Sequence, residues 1–128
     1  MNREDGPDSD RQDMVERVRA CIASMNTPSD ERSMFGVVTS FVAGHAAVGV
    51  RAGGELMIRI DPSRSDELLS RPEAHPLTMG SRTFTGWAGI GFDDLQTDSQ
   101  LDFWVGQGIA YVHRLPSKAT GRRTQRRG

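Results

Sequence analysis

Residues 34–60 read MFGVVTSFVAGHAAVGVRAGGELMIRI, and this stretch decides the fold because its pattern is satisfied only by non-local pairing. Phe35, Val37, Thr39 and Phe41 alternate with Met34, Gly36, Val38 and Ser40. A period of two places those sets on opposite faces of a pleated strand. Ala43-Gly44-His45 breaks the run with a residue that reaches positive backbone angles. Ala46, Val48 and Val50 then resume the alternation up to Ala52-Gly53-Gly54, and Leu56, Ile58 and Ile60 alternate with Met57 and Arg59. The stretch predicts three strands, two tight turns and one apolar face. A three-stranded sheet leaves such a face wet, so the flanking segments must cover it.

Upstream, Met14, Val15, Val18, Cys21, Ile22 and Met25 recur at three- and four-residue spacing and predict a helix from about Asp10 to Asn26. Cys21 lies on that stripe and reads as a small buried hydrophobe. Downstream, Asp61-Pro62 is a helix-start signature, with a capping carboxylate followed by a residue suited to the first helical position. The short helix of two to three turns that it opens carries Leu68 and Leu69 inward and stops at Arg71-Pro72. From Pro76 to Phe92, Leu77 and Met79 mark one strand, and Phe84, Trp87, Ile90 and Phe92 mark a second, with the turn at Gly80-Ser81-Arg82. In the closing helix Thr97 and Gln100 stand in capping-box register, and Leu101, Trp104, Val105, Gly108, Tyr111, Val112 and Leu115 form a continuous stripe.

A chain of 128 residues holds one domain with a real core. Its only cysteine permits no internal disulfide and no cysteine-based metal site within one chain. No apolar run approaches a membrane span and no secretory signal layout opens the chain, so a cytoplasmic protein is expected. Charge is concentrated at the ends: residues 1–13 carry five acids against two bases, and residues 116–128 carry five bases and no acid. Lacking apolar periodicity, residues 1–9 and 116–128 read as a disordered acidic N-terminus and a disordered basic tail around a domain at 10–115.

The residues that carry chemistry elsewhere have structural readings here. Gly86, Gly89 and Gly91 form G-x-x-G-x-G without the lysine or the following helix of a phosphate loop. His45, His75 and His113 lack zinc-ligand spacing. Asp93, Asp94, Asp98 and Asp102 read as capping and solvated acids, no serine sits in a nucleophile elbow, and Trp87 and Trp104 read as core. No catalytic residue, cofactor or metal is expected.

The run Met34-Phe35-Gly36, the segment Ala47-Val48-Gly49-Val50, the strand into Asp61-Pro62, the Gly86-Trp87 pair and the closing helix ending in Leu115-Pro116 together resemble the N-terminal domain of the TfoX/Sxy family, over about Val15 to Ser117. Val37 replaces a second glycine usual in that family. The resemblance implies an α+β, two-layer, secretion-chaperone-like fold: a mainly antiparallel five-stranded sheet with packed helices in the order α-β-β-β-α-β-β-α. It further implies a stand-alone copy of a domain that competence regulators follow with a helical C-terminal domain, and so a non-catalytic interaction or regulatory module.

Two surfaces are candidates for function. Met34, Phe35, Met57, Met79 and Phe84 are adaptable or aromatic side chains suited to a protein partner or a homodimer. Lys118, Arg122, Arg123, Arg126 and Arg127 suit nonspecific contact with nucleic-acid phosphates, the alternative reading.

Overall fold

The computed structural model describes residues 7–116. Its elements are α1 (Pro7–Ser24), β1 (Asp30–Met34), β2 (Val37–Val42), β3 (His45–Arg51), β4 (Glu55–Arg59), α2 (Ser65–Leu69), β5 (Ala74–Met79), β6 (Arg82–Ile90) and α3 (Asp98–His113). The strands form one sheet in the order β1-β2-β3-β4-β6-β5. Every neighbouring pair is antiparallel.

The expected α+β class holds, but the sheet has six strands where the sequence predicted five, and the order becomes α-β-β-β-β-α-β-β-α. The stretch 34–41 is not one strand. Phe35 and Gly36 take positive φ angles of 56° and 75°, which folds the chain back on itself between β1 and β2. Positive φ at both central residues is the pattern of a type I′ hairpin turn, whose twist suits antiparallel strands. Strand β1 escaped detection because Asp30, Glu31, Arg32 and Ser33 show no apolar alternation: all are exposed on an edge strand. The next reversal occupies only Ala43-Gly44, with φ of 54° and 83°, and His45 already opens β3. Helix α1 begins at Pro7, three residues before the expected start.

One face of the sheet carries the core. Val48 stands opposite Ile58 and Val50 opposite Leu56, and the rows continue through Leu56–Ile90 and Ile58–Ala88. Against them pack Met14, Val18 and Ile22 of α1 and Trp104, Val105, Ile109 and Val112 of α3, all buried. Leu68 brings α2 into the same cluster. The capping box of α3 is present, Gln100 N–H donating to Thr97 Oγ1 at 3.1 Å and Thr97 N–H to Gln100 Oε1 at 2.9 Å. Trp104 is 1% exposed, as the stripe predicted. Trp87 is not core: it is half-buried on the opposite face, where the guanidinium of Arg59 lies 5.8 Å from its ring centre. No helix among the described residues is long and apolar enough to cross a membrane.

Candidate functional site

The sheet face turned away from the helices is largely closed by its own side chains. Its central row runs Thr39–Gly49–Met57–Gly89–His75. Met57, expected on a partner surface, is 9% exposed and is flanked by two glycines. A Cβ on Gly49 would come 3.2 Å from Val37 and 3.6 Å from Met57, and one on Gly89 would meet His75 at 2.5 Å. Glycine at these places lets neighbouring side chains fold over the sheet. Phe84 is half-buried, with Arg82 5.5 Å from its ring centre. The side chain of Met79, and all of Lys118, Arg122, Arg123, Arg126 and Arg127, lie outside the described residues.

Met34 and Phe35 are the exposed members of the expected surface. Met34 is 47% exposed and Phe35 97% exposed, and they are the only exposed large hydrophobics among the described residues. Phe35 is also the first residue of the β1–β2 turn. A left-handed conformation costs a residue with a Cβ about 1–2 kcal/mol, and full exposure forgoes the 1.5–3 kcal/mol, roughly, that burying a phenylalanine contributes. Neither packing nor backbone preference within one chain explains phenylalanine here. The turn is held from below, where Arg11 of α1 donates to the Gly36 carbonyl at 2.9 Å.

At the other end of the same hairpin is a cleft of about 560 Å³. Pro28 and Ser29 lead into it, Asp30, Arg32 and Phe41 form one wall, and Ala43, Gly44 and His113 close the end. The Arg32 guanidinium sits 4.6 Å from the centre of the Phe41 ring and reaches Asp30 at 3.0 Å. The cleft is therefore an aromatic floor beside a neutralised ion pair. His45, next to its rim, donates from Nε2 to the Pro116 carbonyl at 2.6 Å, bringing the end of the described chain to the β2–β3 turn. Sequence reasoning missed this cleft, since Pro28, Phe41 and His113 are joined only by the hairpin and the end of α3.

Among the described residues two pairs of titratable groups meet outside this cleft, Cys21 with Asp102 and His75 with Glu55. A smaller cavity between α1 and α3 is lined by Arg17, Cys21, Ser24, Asp98 and Asp102. There the Cys21 thiol donates to Asp102 Oδ1 at 2.9 Å. Burial, then the hydrogen bond and charge of Asp102, push the thiol up to about 12, which leaves it protonated and unreactive at neutral pH. His75 lies 3.0 Å from Glu55 across the helix-free face of the sheet. Asp98 is in the first turn of α3, 3.7 Å from Arg17, and Asp93 and Asp94 are in the 3-10 turn before it. Among the described residues no group of three or more His, Cys, Asp or Glu is placed to hold a metal ion.

A six-stranded antiparallel sheet roofed on one side by α1 and α3, with a Met-Phe-Gly hairpin at its edge, defines an α+β domain. The chain belongs to the TfoX N-terminal domain family, whose model matches residues 12–111. No curated protein and no solved structure matches the chain.

Proposed function

We propose that this protein is a non-catalytic interaction module of regulatory type, acting in the cytoplasm by protein contact. The observation that carries this reading is Phe35, 97% exposed and left-handed at the tip of a hairpin. Residues kept in strained and unburied states cluster where a surface is used rather than where a chain is stabilised. Membership of the TfoX N-terminal domain family supports the regulatory part of the reading. The paired charges of the cleft, Asp30 with Arg32, support binding over acid–base chemistry.

The test is affinity capture from the native host with the wild-type chain and with Phe35→Asn as baits. Asn-Gly is the preferred pair for this turn, so the variant keeps the hairpin while removing the ring. A protein retained by the wild type and lost by Phe35→Asn supports the reading; identical catches overturn it. A second reading, nonspecific nucleic-acid binding through Lys118, Arg122, Arg123, Arg126 and Arg127, is favoured by five positive charges with no acid among residues 116–128.

A further inference from the structure

The hairpin carries an exposed apolar tip at one end, a cleft of about 560 Å³ at the other, and between them a strand that, among the described residues, is paired on one side only. We propose that the partner of this surface is a second copy of the chain, docked β1 against β1 about a two-fold axis, so that each Phe35 enters the other copy's cleft. The inference rests on the interaction-module reading and names its partner.

Three observations converge. The first is the edge. Among the described residues strand β1 pairs only with β2, which leaves the backbone groups along its other side to extend a sheet. The opposite edge, β5, is blunted by Pro76 and by a register shift between Pro76 and Thr78, whereas β1 contains neither proline nor bulge.

The second is spacing. A two-fold interface must be self-complementary, each feature meeting its counterpart twice. Five residues of strand span about 17 Å, and antiparallel alignment of two such strands sets the tip of each beside the base of the other. Tip and cleft are thereby matched in both directions by a single operation.

The third is charge. With Glu31 of the two copies opposite each other, Asp30 faces the second copy's Arg32 and Arg32 faces its Asp30. Met34 then stands opposite Pro28, which lines the mouth of the cleft, and Phe35 follows opposite Thr27, beside that mouth. Opposite charges on facing positions favour that alignment, the Asp30–Arg32 pair within each chain joining its counterpart in a group of four alternating charges. The two Glu31 carboxylates at the axis are each neutralised within their own chain, because Arg19 grips both oxygens at 2.8 and 2.7 Å. Sliding by one residue on each strand brings Arg32 against Arg32 and leaves Asp30 facing Met34, which is unfavourable. From there the Phe35 ring enters the cleft past Pro28, toward the Phe41 ring and the Arg32 guanidinium that covers it.

The test uses the full chain. Sedimentation over a concentration series is expected to show a monomer–dimer equilibrium, weakened about tenfold or more by Phe35→Asn, as loss of a buried aromatic ring implies. Reversal at one position, Arg32→Asp, is expected to weaken the dimer, and the exchange Asp30→Arg with Arg32→Asp to restore it. Glu31→Cys is expected to give a disulfide-linked dimer under mild oxidation, since facing Cα atoms of antiparallel strands lie within disulfide reach, whereas Ser33→Cys is not. A wild-type monomer at every concentration, a dimer indifferent to Phe35→Asn, or cross-linking equally efficient from Ser33→Cys would overturn the proposal. A monomer whose Phe35→Asn variant still loses a captured host protein removes the second copy and leaves the interaction module standing; loss of neither removes both.

Discussion

Gly108 of α3 faces the backbone carbonyl of Ala47, the residue at which β3 slips register against β2, so closely that a Cβ on Gly108 would lie 2.8 Å from that oxygen. The same Cβ would meet Ile58 at 3.4 Å and the Arg59 carbonyl at 3.5 Å. The helix rests directly on sheet backbone there. Among the described residues a Cβ on Gly106 would have only the end of Met25 within reach, at 3.9 Å. The two glycines share a helix and differ in what lies opposite.

Gly108→Ala is therefore expected to destabilise the fold by about 1–2 kcal/mol, overpacking outweighing the helix propensity gained. Gly106→Ala is expected to stabilise it by roughly 0.5–1 kcal/mol. Urea unfolding of the two variants checks the contrast, and equal effects of one sign would contradict the packing described.

Phe35→Asn bears on the strain at the hairpin tip. Asparagine tolerates the left-handed region better than phenylalanine, so the monomer is expected to gain about 0.5–1 kcal/mol. Thermal unfolding at a concentration too low for self-association measures this. A loss of stability would mean that the Phe35 ring packs on its own chain after all.

Cys21 is expected to resist alkylation. With its thiol pushed up to about 12 by burial and by Asp102, the thiolate fraction at pH 8 is very small, and the folded structure shields the sulfur. Iodoacetamide labelling followed by mass spectrometry should show slow modification in buffer and rapid modification in denaturant. Fast labelling of the folded chain would sink the assignment of Cys21 to the α1–α3 interface.

The Arg19–Glu31 pair makes stability pH-dependent. The hydrogen bonds from Arg19 hold the Glu31 carboxyl below the usual glutamate range, with burial opposing and charge attraction reinforcing them. The folded pKa thus lies below the unfolded one. The stabilisation is fully present above the unfolded value and is lost as pH falls through the folded one. Both side chains are substantially exposed, so the contribution is small. Glu31→Gln should flatten part of the fall in Tm at acidic pH and leave the neutral-to-alkaline profile unchanged.

The basic tail has its own signature. If residues 117–128 neutralise phosphates, duplex binding at low salt should fall with salt at a log–log slope of about −4 and vanish on deleting that segment. Fluorescence anisotropy with a labelled duplex measures both. Binding unchanged by the deletion would place the contact elsewhere.

Much of this fold is legible in local pattern. The Thr97–Gln100 capping box and the stripe from Leu101 to Val112 locate α3 within a residue or two, because capping and helical periodicity depend on neighbours in the chain. Alternation likewise identifies β3, β4 and β6. The first hairpin escaped for the opposite reason. A phenylalanine in a left-handed turn looks like one more apolar residue of an alternating strand, and the all-polar β1 gives no periodic signal at a sheet edge.

What the sequence by itself determined is therefore which segments outside the first hairpin are helix or strand, and that one sheet face must be covered. Only tertiary structure decided that Met57 is sealed between Gly49 and Gly89 while Phe35 stands in solvent, and that Pro28, Phe41 and His113 frame one cleft. Periodicity records which residues share a face of their own element. Which faces meet, and what is left uncovered, depends on strand order and register, set by contacts between segments far apart in the chain.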